Sequence, residues 1–183
     1  DDVQALAETP DSTLWVGTYG GGVVRLKGDE CTRLDVDGLL GPQSNVRSMH
    51  VGPGGRLWIG TYDEGLFYWD GEALHSSGMP ANWRDAGVNA IVEARDGSVW
   101  VATARGLLCE EAGLWSAVAL PCGSEHEISS LHLDPDSALW IGTPHSLVVK
   151  RGSEYHLYDP PAGRTWDYIQ SLIRDRHGVL WIG

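Results

Sequence analysis

Seven histidines, 25 acidic residues and three cysteines are the groups in this 183-residue chain that could do acid–base, metal or nucleophilic chemistry. His50 and His132 fall at matching places on two predicted strands, while His75, His126, His145, His156 and His177 are scattered. A histidine at the end of a strand is ordinarily structural or solvated. The adjacent acids Asp1-Asp2, Asp63-Glu64 and Glu110-Glu111 are assigned to a terminus or to turns, where charge is solvated. Asp134-Pro135-Asp136 resembles a fragment of a calcium loop, but a hairpin turn there accounts for both carboxylates. Cys31, Cys109 and Cys122 show neither metal-ligand spacing nor a disulfide framework. Free, buried thiols are the favoured reading, Cys31 and Cys109 on outer strands and Cys122 in a loop, with a bridge between one pair in an oxidising compartment as the alternative. His145 with Asp63 or Glu64 is the nearest approach to a catalytic pair, and no Ser-His-Asp or Cys-His arrangement follows from spacing. The chemistry-bearing residues therefore assign no catalytic group, no metal site and no cofactor.

The elements that would have to position such groups recur. Leu14-Trp15-Val16-Gly17-Thr18, Leu57-Trp58-Ile59-Gly60-Thr61, Val99-Trp100-Val101-Ala102-Thr103, Leu139-Trp140-Ile141-Gly142-Thr143 and Leu180-Trp181-Ile182-Gly183 place tryptophans 43, 42, 40 and 41 residues apart. Twelve residues before each tryptophan stand Val3, Val46, Val88, Ile128 and Ile169, and nine before stand Leu6, Met49, Ile91, Leu131 and Leu172. Ten before are only Ala5, Ser48, Ala90, Ser130 and Ser171. A fixed period near forty residues marks stacked units, each too small to bury its own apolar face.

Each unit reads as a meander of four strands. The first is a run such as Val46–Val51; a turn at Asp11-Ser12, Gly54-Gly55, Asp96-Gly97, Asp136-Ser137 or His177-Gly178 supplies positive φ; the second strand carries the Trp. Third strands follow at Val23–Leu26, Leu66–Trp69 and Leu107–Cys109, and more polar fourth strands at Cys31–Leu34, Ala73–Ser76, Trp115–Leu120 and Tyr155–Tyr158. No helical period is sustained, so the class is all-β. Four short strands with a fixed aromatic match a blade of a β-propeller. The expectation is a single partial propeller over 1–183, with blades near 1–43, 44–85, 86–125 and 126–166 and half a blade over 167–183. Trp15, Trp58, Trp100, Trp140 and Trp181 are assigned to the wedges between blades, each N–H seeking a carbonyl. Four and a half units do not close a ring. An excerpt from a longer propeller is the favoured explanation, with self-association through open blade edges as its consequence.

A formal charge of −12 disfavours nucleic acid and anionic membrane surfaces, which need clustered Lys and Arg. No apolar run is long enough to span a membrane, and no signal peptide is recognisable in this segment.

The pattern D-G-x-L-W-I-G-T-x-x-G-L, preceded by V-x-S-L, resembles the two-component regulator propeller repeat over essentially the whole chain. The resemblance implies the sensor region of a bacterial hybrid histidine kinase, periplasmic or otherwise extracytoplasmic, whose kinase is not in this sequence. It implies a small-molecule ligand, often an oligosaccharide. Related tryptophan-bearing propellers include streptogramin lyases and some polysaccharide lyases, so a lyase is the alternative, and a purely structural interaction scaffold is a third reading.

On a propeller, loops from every blade gather at one end of the central channel. The residues eleven before each tryptophan, Gln4, Arg47, Asn89, Ser129 and Gln170, are assigned toward that channel, and Tyr19, Tyr62, Asp63, Arg105 and His145 to the rim of one face. The ligand-binding set is thus Gln4, Arg47, Asn89, Tyr19, Tyr62, Asp63, Arg105 and His145. That the inner residues merely satisfy backbone groups near the axis stands beside this as an equal alternative.

Overall fold

The computed structural model describes residues 2–34, 39–122 and 127–183, so Asp1 and His126 lie outside the described residues. The first blade comprises β1 (Asp2–Glu8), β2 (Leu14–Tyr19), β3 (Gly22–Lys27) and β4 (Glu30–Leu34). The second holds β5 (Val46–Val51), β6 (Leu57–Thr61), β7 (Leu66–Trp69) and β8 (Leu74–Ser76). The third holds β9 (Val88–Glu93), β10 (Val99–Thr103), β11 (Gly106–Glu111) and β12 (Leu114–Val118). The fourth holds β13 (Ser130–Leu133), β14 (Leu139–Gly142), β15 (Leu147–Arg151) and β16 (Glu154–Tyr158); β17 (Leu172–Arg174) and β18 (Leu180–Ile182) begin a fifth. All pairings are antiparallel between sequence neighbours, and the helical content among the described residues is one 3-10 turn, Ala81–Trp83. The first hairpin of every unit turns on a residue with positive φ: Ser12, Gly55, Gly97, Ser137 and Gly178, at 61° to 87°.

Four apolar clusters fill the four interfaces between units. Trp15 and Val23 pack with Val46, Leu57 and Ile59 of the second blade; Trp58 and Leu66 pack with Val88, Ile91 and Val99 of the third. Trp100 and Leu107 meet Ile128 and Leu131, and Trp140 meets Ile169 and Leu172. The sheets of the second, third and fourth blades are therefore buried on both faces, as stacking requires. Trp15, Trp58, Trp100 and Trp140 are 2–8% exposed, whereas Trp181, with no further unit against it, is 59% exposed. Its face also exposes Ile173, and the opposite face of the first blade exposes Val3 and Leu6.

The glycine of the Trp motif follows from this stacking. A Cβ on Gly60 would collide with the side chain of Val88, the first residue of the next inner strand, and with Ser48 Oγ. Gly17 and Gly142 face Val46 and Ile169 in the same way. At the third interface the methyl of Ala102 is accommodated in the cluster with Ile128.

Four of the five motif tryptophans, Trp15, Trp58, Trp140 and Trp181, donate their N–H to side chains, not carbonyls. Trp15 donates to Thr9 Oγ1 at 3.2 Å, Trp140 to Asp134 Oδ2 at 2.7 Å and Trp181 to Asp175 Oδ2 at 2.9 Å, all six residues upstream. In the second unit that place is Gly52, where a Cβ would strike Glu93 of the third blade, and Glu93 Oε2 takes the Trp58 N–H instead. Cations cap three of these rings: Arg56 on Trp58, Lys150 on Trp100 and Arg174 on Trp140, at 5.0–5.7 Å.

Several sequence assignments shift. Asp134 is a buried inter-blade anchor, receiving Trp140 and also Arg174 Nη2 at 2.8 Å, so the turn explains only Asp136, which accepts from Ala138 N–H. Glu110 and Glu111 close strand β11 instead of lying in a turn. Cys109 is on that third strand, its thiol pushed up to about 12 chiefly by burial, while Cys31 is exposed; all three cysteines are free.

Candidate ligand-binding site

The four inner strands β1, β5, β9 and β13 stand side by side and line an open cavity of about 590 Å³. Each of the first three carries a register shift: Val46 pairs with Thr61 and Ser48 with Gly60, which leaves Arg47 as the extra residue. Gln4 and Asn89 occupy the same bulged place in β1 and β9. A bulge re-aims one side chain without breaking the sheet. Here it turns the residue eleven before the Trp onto the cavity wall; in β5 the residue before it, Val46, packs on the preceding blade, and Ser48, which also borders the cavity, directs its hydroxyl to the next blade.

Those neighbours do structural work. Ser48 Oγ donates to Val88 O at 2.8 Å and Ser130 Oγ to Ile169 O at 2.8 Å, clasping each blade to the next. Asn89 Nδ2 makes the equivalent bond to Ile128 O at 2.8 Å, because Ala90 has no hydroxyl to do so. Ser129 is buried and bonds Ile169 O, so the backbone-satisfying alternative holds for Ser129 and for one half of Asn89. It does not hold for Arg47 among the described residues: its guanidinium lies 5.0 Å from the centre of the Tyr62 ring.

The rim is built by the loops after the Trp strands. Thr61 Oγ1 donates to Gly65 O and accepts from Glu64 N–H, and Thr18, Thr103 and Thr143 close their loops alike. Asn45 ties two of these loops together, its carbonyl accepting Tyr62 N–H and its Oδ1 accepting Gly20 N–H, both at 2.9 Å. Tyr19 and Tyr62 consequently meet edge to face at 6.4 Å, both about half exposed. Two residues absent from the sequence reading complete this end. Glu127 accepts from Asn89 Nδ2 at 3.2 Å and from the Tyr168 hydroxyl, so it bridges the third and fifth units across the fourth. That bond to Glu127 holds the Tyr168 hydroxyl above its ordinary pKa. Both stand thirteen residues before a motif tryptophan, the place Asn45 holds in the second unit, so the repeat aligns them although neither lies in a strand.

Asp63 and His145 are exposed in their loops two blades apart, and no contact joins them. Arg105 is turned away from the cavity, its guanidinium held by Asp85 at 2.8 and 2.9 Å and by Asn82 O. The structure thus brings together Gln4, Arg47, Asn89, Tyr19 and Tyr62, and leaves Asp63, Arg105 and His145 outside the cavity wall.

Below the bulge, His50 and His132 line the same cavity. Burial drives His50 down to about 4, keeping its ring neutral. Three buried side-chain atoms have no hydrogen-bond partner in the described protein, His50 Nε2, His132 Nε2 and Asn89 Oδ1, and all three belong to residues of this cavity wall. His132 Nε2 is 3.2 Å from Asp134 Oδ1 but off the line of a hydrogen bond. Among the described residues no group of three or more His, Cys, Asp or Glu is arranged to hold a metal ion.

Residues 1–20 and 40–63 match the family described as Two component regulator propeller. Those 44 of the 183 residues are similar to two-component regulator propeller repeats. No protein of curated function matches the sequence. Among solved structures, the extracellular domain of a Bacteroides thetaiotaomicron protein, described variously as a one component or hybrid two component system, superposes with a TM-score of 0.80 at 23% identity, over 100% of this chain and 26% of that one. Virginiamycin B lyase from Staphylococcus aureus gives 0.79 at 13% identity, over 99% of this chain and 62% of the lyase. At these identities the likeness is one of fold. The repeats described here span about a quarter of the length of the first structure and about three-fifths of the second.

Proposed function

We propose that this chain is a ligand-sensing propeller segment of a bacterial signalling protein, held outside the cytoplasm, that binds a saccharide or similar polyhydroxylated small molecule without transforming it. The observation that carries the reading is one open cavity walled by the polar side chains of Gln4, Arg47, Asn89, His50 and His132, beside a rim of exposed tyrosines. Hydroxyl groups pair with polar side chains of this kind, and aromatic faces accept the apolar faces of sugar rings. The volume lies within the ~300–1,000 Å³ of ordinary small-molecule sites. The propeller repeats and the likeness to an extracellular domain support the signalling context. Calorimetry with a panel of oligosaccharides tests it: binding should weaken at least tenfold on Tyr62→Ala. Unchanged affinity in that variant would remove the rim from the site.

One observation favours a second reading. The lyase fold likeness, together with two histidines on the cavity wall, is compatible with a propeller lyase acting through His50 or His132. Turnover of a bound saccharide that disappears in His132→Ala would establish it and overturn the non-catalytic reading.

A further inference from the structure

The polar groups of the cavity differ in kind, and the difference restricts the ligand. Both amide hydrogens of Asn89 are committed, one to Ile128 O and one to Glu127 Oε1, two groups that only accept. The amide orientation is therefore fixed, and Asn89 Oδ1, enclosed by the protein, has no donor among the described residues, which leaves Arg47 as the charged group that a ligand can engage. Glu127 is in turn occupied by Asn89 and the Tyr168 hydroxyl. Of the described residues lining the cavity Arg47 is the one with a permanent charge. It forms no ion pair among the described residues, although other arginines do: Arg105 with Asp85, Arg151 with Asp136 and Arg174 with Asp134. The Glu127 carboxylate lies near it but is engaged by Asn89 and Tyr168, so Arg47 is the place on this wall where an anion can pair in a chain of formal charge −12. The guanidinium lies over Tyr62, which orients its planar fork and shields one of its faces from water.

Resting on the saccharide reading of this same site, we propose that its ligand is an acidic saccharide, a uronate-bearing oligosaccharide whose carboxylate is taken by Arg47. The tyrosine rim then receives the apolar face of the adjoining sugar ring. Charge-assisted, forked pairing of arginine with carboxylate is the strong polar contact here. Selectivity arises because a neutral sugar leaves the guanidinium without its anion.

The test is calorimetric titration of the chain with trisaccharides of galacturonate, glucuronate and mannuronate, with the methyl esters of the same trisaccharides, and with their neutral hexose counterparts. At least one acid should bind about 10- to 100-fold more tightly than its own ester and its neutral counterpart. In Arg47→Met that preference should collapse to within about threefold, with the thermal midpoint unchanged, and Arg47→Lys should restore part of it. Equal binding of acid, ester and neutral sugar overturns the acidic proposal while leaving the saccharide site standing. A preference that survives in Arg47→Met overturns the assignment of the carboxylate to Arg47. Binding by none of the nine probes overturns both readings together.

Discussion

Along one inner strand, β5, adjacent residues serve two regions of opposite character. Val46 and Ser48 belong to the interfaces: Val46 presses on the backbone at Gly17 of the preceding blade, and Ser48 donates to Val88 of the following one. Arg47, between them, faces the cavity. The buried side-chain polar groups described at the interfaces are paired, whereas three buried atoms of the cavity-wall residues have no protein partner among the described residues. A repeat fold needs the first region for stability and leaves the second free to carry recognition, since a bulged residue contributes little to the ladder it interrupts. The difference teaches where to look for function in such a chain: at positions the repeat does not have to keep alike.

The sharpest way to break the comparison is to attack an interface. Trp58→Ala removes a ring that is 3% exposed, together with its bond to Glu93, and should cost roughly 3–5 kcal/mol in denaturant unfolding. A loss below about 1 kcal/mol would show that the wedge is not where stability resides. Next in size is Gly60→Ala, expected to cost about 1–3 kcal/mol because Val88 and Ser48 must move to admit the methyl. The third interface already holds Ala102, so Ala102→Gly should change stability by no more than about 1 kcal/mol.

The cavity floor gives a pH-dependent contrast. His50 is neutral in the folded state, with its pKa driven down to about 4 by burial, against 6.5 for the ordinary side chain. Below pH 6.5 the unfolded chain takes up a proton that the folded chain refuses, so this contribution is intact above that value and is lost progressively as pH falls toward 4. The loss should reach about 2 kcal/mol at pH 5 relative to pH 7. His50→Val, which installs the residue found at the matching place in the third blade, Val92, should flatten that part of the pH profile in thermal or denaturant melts. An unaltered slope would mean that the ring is hydrated within the cavity.

The fold was legible because its determinants are local and periodic. The hairpins announce themselves through Asp11-Ser12 and Gly54-Gly55, and the strand pairings fall on the predicted runs within a residue or two. The inward placement of Gln4, Arg47 and Asn89 also followed from alignment alone. What stayed hidden are the pairings that compensate across about forty residues. That Glu93 replaces the side chain Gly52 lacks depends on which blade leans into which gap. Glu127 and Tyr168 share one repeat position, thirteen before the tryptophan, but the alignment does not report that they bond to each other. Arg105 looked like a rim residue because its loop is one, but Asp85 in the preceding connection captures it. The two cavity histidines were read as structural, since nothing in a strand pattern reports that a ring nitrogen will lack a partner.

The smallest effects on stability should come from the most direct test, a matched pair of neighbours. Ser48→Ala deletes one buried bond between blades, leaves Val88 O without that donor, and should cost about 1 kcal/mol. Because Ser48 Oγ is turned toward the third blade, the affinity for a bound saccharide should be unaltered. Arg47→Met, one residue away, removes no interface contact and keeps the apolar stem against Tyr62, so stability should stay within about 0.5 kcal/mol of the parent. Its whole effect should appear in binding. Denaturant melts and calorimetry on the two variants, taken together, decide the matter. If Arg47→Met unfolds as easily as Ser48→Ala, the bulge is part of the scaffold. If Ser48→Ala weakens binding as much as Arg47→Met, cavity and interface are one coupled region, and the division of labour along β5 does not exist.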